Sequence, residues 1–380
     1  MTRQVQVVVC LIAMLCSVAT FAQVAGGSSP VAFVYVSGSP SNNHYEINAF
    51  TAASDGKLTP VSGSPFPANV QSMAVNGRYL FGTNGVNIYS FSIAPDGALE
   101  KVASINAQKH NGYNCGGPAA LFLDHTGTTL YDEDVYGNIC ANNTYQSFSI
   151  DRSTGQLSYL GASDSSVAFA LPLSFTGNNV FAYGSWSFNY GPWLFGFRRT
   201  SNGTLADLKI HAPMPVSKKS DFYTSFGAAA DPANHVAILV QPFDGSTWQP
   251  DGPPQLATYT AAASGKLSTK STFSNMPAVA VNGFADMKMA PSGKFLAVAG
   301  PAGCQVFHFN GGNPITHYTG LIVRDQVDQM YWDKDNHLYA ISHASGKLFV
   351  FTVTPARVTQ APGSPYSITN PQSIIVLPKT

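Results

Sequence analysis

Two alternating turn signatures, their regular spacing and a phrase repeated near both ends predict an all-β fold, a seven-bladed β-propeller with four antiparallel strands per blade. The first signature is a Gly, Asn or Asp turn between two short apolar strands, as in AVNGRYLFGT at 74–83. The second joins an aromatic-rich strand to a shorter one, as in IYSFSIAPDGALEKV at 88–102. Both are hairpin patterns. Together they define a unit of four strands, A to D, that recurs about every 50 residues.

The number of A strands sets the number of blades. A short apolar strand precedes the A–B turn of each unit, and no long 3.6-residue period competes with it. The predicted A strands lie at Ser72–Val75, Ala119–Leu123, Ala168–Leu173, Phe226–Ala230, Asp286–Ala290, Gln329–Trp332 and Ser373–Leu377.

The repeated phrase predicts how the ring closes. GSPF at 63–66 and GSPY at 363–366 each precede an apolar strand at a matching offset. The segment Phe33–Ser37 has the pattern of a B strand without an A strand before it. We therefore expect the last strand, Ser373–Leu377, to pair with Phe33–Ser37 as strand A of blade one, which would hide otherwise open sheet edges.

The first residues are typical of a secretory signal peptide. Arg3 precedes an apolar run from Val7 to Ala19, and small residues follow up to Ala22. We expect cleavage after residues 1–22, a single propeller domain over 23–380, and a secreted or periplasmic protein without a membrane span.

Charge and cysteine content exclude several classes of protein. Twenty basic residues balance twenty acidic ones, so nucleic-acid binding has no electrostatic support. The sequence contains no C-x-x-C pair, so its cysteines do not predict a zinc site. Cys115 and Cys140 flank strands A and B of blade three, whose outer ends emerge on one face, so we expect a disulfide between them. The alternative is two unpaired thiols. Cys304 lies several blades away and is expected to stay free.

The chain resembles the lactonase-type seven-bladed propellers, the family of 6-phosphogluconolactonase and its YVTN-repeat relatives. The resemblance is carried by DGKLTPVSGSPFP (55–67), PSGKFLAVAG (291–300), SGKLFVFTV (345–353) and PGSPYSITNPQSIIV (362–376). It covers nearly the whole chain after the signal segment. These are turn and strand motifs, so they imply the fold more strongly than an activity.

The resemblance implies lactone hydrolysis at the channel mouth by His, Arg and Glu side chains. His110 lies in the loop entering blade three, Glu133 ends strand B of that blade, and Arg324 lies in the loop entering blade seven. We expect His110 or Glu133 to be the general base and Arg324 to stabilise the oxyanion. No contiguous motif identifies the three as a set.

Long loops at the predicted mouth supply candidate ligand-binding residues, since loops on a rigid scaffold often carry binding groups. Their aromatic rings, Trp186, Tyr190, Trp193 and Trp248, could bind a sugar or another flat ligand. The alternative is that these rings only cover loop backbone and pack between blades. The candidate ligand-binding residues are Tyr113, Asn114, Asp134, Trp186, Tyr190, Asp221 and Asp328.

Acidic and histidine side chains give no metal-site spacing. The run Asp132–Asp134, together with Asp221, Asp325 and Asp328, lacks the pattern of a calcium loop, so we expect solvated loop charge. Histidines at A–B turns, such as His125, His235 and His337, are expected to be surface turn residues. We expect neither a metal nor a cofactor.

Two functions from different classes fit these observations. The first is a non-catalytic binding or scaffold protein of the cell envelope, a monomer whose mouth loops bind a glycan or an envelope protein. The second is a hydrolase for a small-molecule lactone. Convergence of an acid, a base and a cation on one mouth would distinguish the second from the first.

Overall fold

The computed structural model of the protein describes residues 29–41, 44–107, 120–134, 144–163, 172–188, 191–210, 212–218 and 221–379. These residues form thirty β-strands and no α-helix, and none of them belongs to a helix long and apolar enough to cross a membrane. The predicted signal segment lies outside the described residues.

The strands follow one another with short turns. In chain order the first fifteen are β1 (Ala32–Ser41), β2 (His44–Ala52), β3 (Leu58–Pro60), β4 (Phe66–Pro67), β5 (Ser72–Val75), β6 (Tyr79–Thr83), β7 (Asn87–Ile93), β8 (Leu99–Asn106), β9 (Ala120–Leu123), β10 (Thr129–Asp134), β11 (Thr144–Ile150), β12 (Leu157–Ala162), β13 (Ser174–Phe175), β14 (Phe181–Phe188) and β15 (Gly191–Arg199). The remaining fifteen are β16 (Leu205–Asp207), β17 (Asp221–Ala230), β18 (His235–Asp244), β19 (Gln255–Ala261), β20 (Leu267–Thr269), β21 (Asp286–Met289), β22 (Phe295–Gly300), β23 (Gly303–His308), β24 (Thr316–Val323), β25 (Gln329–Trp332), β26 (His337–Ser342), β27 (Lys347–Val353), β28 (Val358–Gln360), β29 (Tyr366–Ser367) and β30 (Pro371–Pro378).

These strands form seven antiparallel sheets, which confirms the predicted seven-bladed β-propeller. From strand A to strand D, the blades are β30-β1-β2-β3, β5-β6-β7-β8, β9-β10-β11-β12, β13-β14-β15-β16, β17-β18-β19-β20, β21-β22-β23-β24 and β25-β26-β27-β28. The short strands β4 and β29 add to blades one and seven.

The predicted closure is confirmed residue by residue. Strand β30 pairs with β1 in the register Phe33↔Leu377 to Ser37↔Ser373. The two repeated phrases also occupy equivalent positions. Ser64 Oγ accepts a hydrogen bond from the N–H of Ala49 in blade one at 2.8 Å, and Ser364 Oγ accepts one from Val350 in blade seven at 2.9 Å.

The predicted strand A of blade four lies mostly outside the described residues. Of the expected span Ala168–Leu173, only Pro172 and Leu173 are described, and they directly precede the strand Ser174–Phe175, which pairs with β14. Pro172 has no N–H to donate and is disfavoured inside a paired strand. Among the described residues, strand pairing of this segment begins at Ser174.

Seven hydrophobic clusters fill the spaces between blades, and tyrosine hydroxyls of blades one, three and four bond to the C–D turn of the next blade. Tyr183 OH in blade four donates to the carbonyl of Gly265, in the C–D turn of blade five, at 2.8 Å. Gly265 has a φ of +86°, and a Cβ there would lie 2.8 Å from the Phe181 ring. Glycine is required at this turn for conformation and for close approach.

One histidine expected at the surface is instead part of a buried cluster between blades seven and one. His337 Nδ1 lies 2.7 Å from Asp333 Oδ2, and Tyr339 OH donates to the same oxygen at 2.9 Å. His337 is 1% exposed, and its ring bonds to the backbone of Ser54 in blade one. The surface prediction was wrong for His337 because its turn is covered by the neighbouring C–D turn.

Candidate functional site

Seven A strands line the central channel, and polar side chains on them bond to the next blade. Each A strand pairs with strand B along one edge only, so N–H groups on the other edge need another acceptor. A side chain of the preceding A strand supplies it. Four such bonds are described: Leu121 N to Ser72 Oγ (3.0 Å), Ala230 N to Ser174 Oγ (2.8 Å), Met330 N to Asp286 Oδ2 (2.8 Å) and Ile374 N to Gln329 Oε1 (2.6 Å).

The channel contains a cavity of about 600 Å³, a volume typical of small-molecule sites. Two charged residues of its lining are already in ion pairs. Asp124 lies 3.1 Å from Arg199, and Lys288 lies 3.3 Å from Asp286. The charges of Asp124 and Lys288 are therefore neutralised by neighbouring side chains of the propeller.

Glu133, the proposed base, is fully buried at 0% exposure. It lies opposite Tyr145 on the neighbouring strand, and neither carboxyl oxygen has a hydrogen-bond partner among the described residues. Burial first, and the charge of Asp132 second, raise the pKa of Glu133 well above its usual value. The carboxyl therefore keeps its proton to higher pH than an exposed glutamate, a property compatible with a role as proton donor or as base.

Arg324, the proposed oxyanion ligand, is exposed in the loop between β24 and β25. Glu133 belongs to blade three, whereas Arg324 lies between blades six and seven. In a ring of seven blades these positions are nearly as far apart as possible. A substrate touching both would have to span the channel. The catalytic assignment stays a prediction, since His110 lies outside the described residues.

The acidic residues of the mouth were expected to carry solvated charge, but two of them are buried. Asp132 is 4% exposed and Glu133 is 0% exposed, because both lie within the paired part of β10. Asp328 is partly exposed, and its Oδ2 accepts a hydrogen bond from the N–H of His343 at 2.6 Å. Among the residues described, no three His, Cys, Asp or Glu side chains are placed to hold a metal.

The remaining residues singled out from the sequence lie partly within the described strands and partly outside the described residues. Asp134 ends β10, and the backbone of Trp186 pairs with that of Trp193. Cys304 is buried and not in a disulfide, as predicted, while the Cys115–Cys140 bridge stays a prediction. The residues that lie outside the described part of the chain are His110, Tyr113, Asn114, Cys115, Cys140 and Tyr190.

The mouth of blade five carries an exposed aromatic group on a hydrogen-bonded hairpin. Trp248 is 52% exposed, and its ring centroid lies 5.1 Å from that of Phe222. Phe222 in turn stacks on Phe243 at 5.7 Å. The carbonyl of Asp244 accepts a hydrogen bond from the N–H of Trp248 at 2.9 Å. Trp248 has a φ of +58°, a left-handed conformation that bulky residues rarely adopt.

Asp221 and Asp244 are opposite each other in the register of β17 and β18, next to the Phe222–Phe243 pair, so their side chains lie on the other face of the hairpin from these rings. Hydrogen bonds from Ser246 and Thr247 lower the pKa of Asp244 to about 2. Lys218 Nζ lies 3.3 Å from Asp251 Oδ2. We call Phe222, Phe243 and Trp248, with Asp221, Asp244 and Asp251, the blade-five patch.

Only part of the blade-five patch was predicted from the sequence. Asp221 was a candidate ligand residue and Trp248 was named as a possible platform. The sequence analysis did not predict the other members, which are Phe222, Phe243, Asp244 and Asp251. The long loop QPFDGSTWQPDGPP at 241–254 nevertheless concentrates aromatic and acidic residues. Pairing of β17 with β18 brings the other members to this loop, with Phe222 opposite Phe243.

Comparisons with known proteins identify solved structures only. No protein-family model and no curated protein matches the chain. A periplasmic gluconolactonase of Pseudomonas aeruginosa is 13% identical, with 91% of this chain and 99% of that chain covered and a TM-score of 0.62. A candidate 6-phosphogluconolactonase of Bacteroides fragilis is 13% identical, with 93% and 99% covered and a TM-score of 0.61.

A third similar structure is Sqt1 of Chaetomium thermophilum bound to the N-terminus of the ribosomal protein L10. It is 10% identical, with 89% of this chain and 86% of that chain covered and a TM-score of 0.52. At such identities a structural likeness establishes the fold and leaves activity open. The protein has the lactonase-type seven-bladed β-propeller fold.

Proposed function

We propose that this protein is an exported binding protein of the cell envelope that holds its ligand at the mouth face, through the blade-five patch. The observation that carries the proposal is the ring of Trp248, which is 52% exposed on a hairpin held by hydrogen bonds. Export rests on the signal segment predicted at residues 1–22.

The hairpin positions its aromatic ring before a ligand arrives. Asp244 Oδ1 accepts hydrogen bonds from the N–H groups of Ser246 and Thr247, both at 2.8 Å, and Phe243 forms a backbone bridge with Pro250. A surface ordered in advance loses little entropy on binding. The Sqt1 structure, which has a propeller with a bound peptide segment, supports binding as a use of this architecture.

Replacing Trp248 by alanine is expected to weaken ligand binding about 10-fold or more, because exposed aromatic anchors often dominate binding energy. Binding is measured by calorimetry on the purified protein with cellohexaose, chitohexaose, hexalysine and hexaglutamate. Val102→Ala is the matched control, since Val102 is 43% exposed on β8, in another blade. If no compound binds in a Trp248-dependent manner, the proposal is wrong.

Lactone hydrolysis is a second candidate function, favoured by one observation. A buried carboxyl with a raised pKa, such as that of Glu133, is a recurrent feature of catalytic sites. A protonated Glu133 could donate its proton to the leaving oxygen of a lactone while water attacks the carbonyl, and the resulting carboxylate could take up the proton that the water releases. The separation of Glu133 from Arg324 around the ring argues against this function.

We expect no lactone hydrolysis above the uncatalysed rate when the purified protein is assayed with gluconolactone and 6-phosphogluconolactone. If hydrolysis is found, Glu133→Gln, Arg324→Ala and His110→Ala test the residues. Loss of a general acid or base typically reduces the rate about 100-fold or more. Asp325→Asn is the control, because it removes a mouth carboxylate that is not one of the three tested residues. Among the described ion pairs, Asp325 Oδ2 contacts only Lys347 Nζ, at 3.4 Å. Hydrolysis unaffected by all three variants would exclude this site.

A further inference from the structure

We propose that Asn282 and Gly283 form a self-modification site, at which the Asn282 carboxamide is converted to a carboxylate through a cyclic imide. Water is the only co-reactant, and no enzyme is needed. The inference goes beyond the proposed function and does not depend on it. It is carried by a comparison within the chain: hydrogen bonds hold the asparagine of every other described Asn-Gly step, and Asn282 has none to a described residue.

The reaction joins a backbone nitrogen to the carboxamide that precedes it. The nitrogen of Gly283 attacks Cγ of Asn282, a C–N bond forms, and the carboxamide nitrogen leaves as ammonia, taking the proton of the Gly283 N–H. Water then adds to one of the two imide carbonyls and opens the ring, which gives aspartate or isoaspartate. Glycine after the asparagine favours the attack, because it has no Cβ to crowd the forming ring.

The sequence contains six Asn-Gly steps, which share the same local chemistry. Five of these steps lie within the described residues, while Asn111 lies outside them. The described steps begin at Asn76, Asn84, Asn202, Asn282 and Asn310. Differences in reaction rate among them therefore report on the fold around each step.

Four of the five carboxamides are held by at least two hydrogen bonds. Asn84 Oδ1 accepts from the N–H groups of Val86 and Asn87, at 3.0 and 2.8 Å. Asn202 Oδ1 accepts from the N–H and the hydroxyl of Thr204, at 3.1 and 2.9 Å. Such side-chain turns must open before Cγ can be attacked. The other two are Asn76, whose Oδ1 accepts from the N–H groups of Arg78 and Tyr79, and Asn310, whose Nδ2 donates to Pro314 O and Thr316 Oγ1.

Asn282 differs from these residues in both reacting groups. Its side chain is exposed, and its carboxamide has no hydrogen bond to a described residue. The N–H of Gly283 likewise donates to no described residue, whereas the N–H of Gly203 donates to the carbonyl of Thr200 at 3.0 Å. Among the described steps, both the carboxamide and an exposed neighbouring N–H are therefore available only at Asn282.

The product would change the charge of the mouth face. Asn282 lines a cavity of about 410 Å³ between the B–C loop of blade five and the segment that leads into β21, together with Gln241, Pro254 and Val279. None of the described residues that line this cavity is charged. Modification would place a carboxylate in this lining, and like charges repel. The modified protein would therefore disfavour anions at this cavity.

The test is peptide mapping by mass spectrometry of the purified protein, kept in alkaline buffer below its melting temperature beside a urea-unfolded sample. In urea, the five steps should react at similar rates. In the folded protein, Asn282 should keep its unfolded rate. Asn84 and Asn202 should react about 10-fold or more slowly, the factor expected when two hydrogen bonds must break first. Asn282→Gln should remove the new acidic form seen by ion exchange, and Asn202→Gln, the matched exposed control, should leave it.

Three results would each overturn the inference. The first is slowing of the Asn282 reaction by folding as strong as that at Asn202. The second is equal rates at all five steps in the folded sample, which would show that the fold does not control the reaction. The third is an acidic form that persists in full in the Asn282→Gln variant. No ligand enters this experiment, so failure of the proposed binding function would leave its result unchanged.

Discussion

Deletion of residues 371–380 is expected to abolish the soluble, monomeric folded protein. Strand β30 places Ile374 and Val376 in the cluster between blades seven and one, and Ile375 in the cluster between blades one and two. Burial of each such side chain contributes about 1.5–3 kcal/mol. Three of them approach the whole stability of an ordinary domain, about 5–15 kcal/mol. The deletion also leaves the channel edge of β1 unpaired, and open edges associate.

Size-exclusion chromatography and thermal unfolding measure this effect, and two point variants make it specific. Val376→Asp places a carboxylate at a position that is 1% exposed and should destabilise the protein nearly as much as the deletion. Gln372→Asp places the same group at an exposed position of the same strand and should change little. A truncated protein that stays monomeric with an unchanged melting temperature would contradict the role given to β30.

Replacing Asp333 by alanine is expected to destabilise the protein by about 3–5 kcal/mol, the usual cost of removing one partner of a buried pair. The Asp333 carboxylate is 0% exposed and accepts hydrogen bonds from His337 and Tyr339, which would lose their partner. For a chain of this length the melting temperature should fall by about 4–7 °C. Asp231→Ala is the matched control: His235, its partner at 2.7 Å, is 22% exposed, so the loss should be smaller.

The same pair predicts a pH dependence of stability. Burial lowers the pKa of His337, but the hydrogen bond and charge of Asp333 outweigh it, so the net pKa is raised above its usual 6.5. A raised pKa adds stability that is complete below about pH 6.5 and is lost as pH rises through the folded-state value. The difference in melting temperature between the wild-type protein and Asp333→Asn should therefore be larger at pH 6 than at pH 9. An equal difference at both would contradict this protonation.

Strand positions were predictable from the sequence because turn chemistry and alternation are local. The pairing of Ser373–Leu377 with Phe33–Ser37 followed from a repeated phrase, since equivalent positions in a ring require equivalent turns. In blade four, Pro172 and Leu173 were expected in strand A but lie just before the described strand Ser174–Phe175, since proline has no N–H to donate. The surface prediction for His337 failed because the turn that covers it comes from residues near Ser54, far away in sequence.

The candidate site was harder to predict, because its members are brought together by pairing between strands. Phe222 and Phe243 are 21 residues apart and become opposite neighbours only in the register of β17 and β18. Burial of Glu133 likewise depends on what packs over the end of β10. A single sequence shows which side chains are able to bind or react, but their exposure is a property of the assembled blades.

The side-chain acceptors around the channel show how the blades of a propeller can diverge in sequence. Serine, aspartate and glutamine fill equivalent positions at Ser72, Asp286 and Gln329, and each receives a backbone N–H of the next blade. What a duplicated blade must retain at this position is a lone pair at the right distance, and several amino acids supply one. Repeats can therefore lose nearly all sequence similarity while their geometry persists.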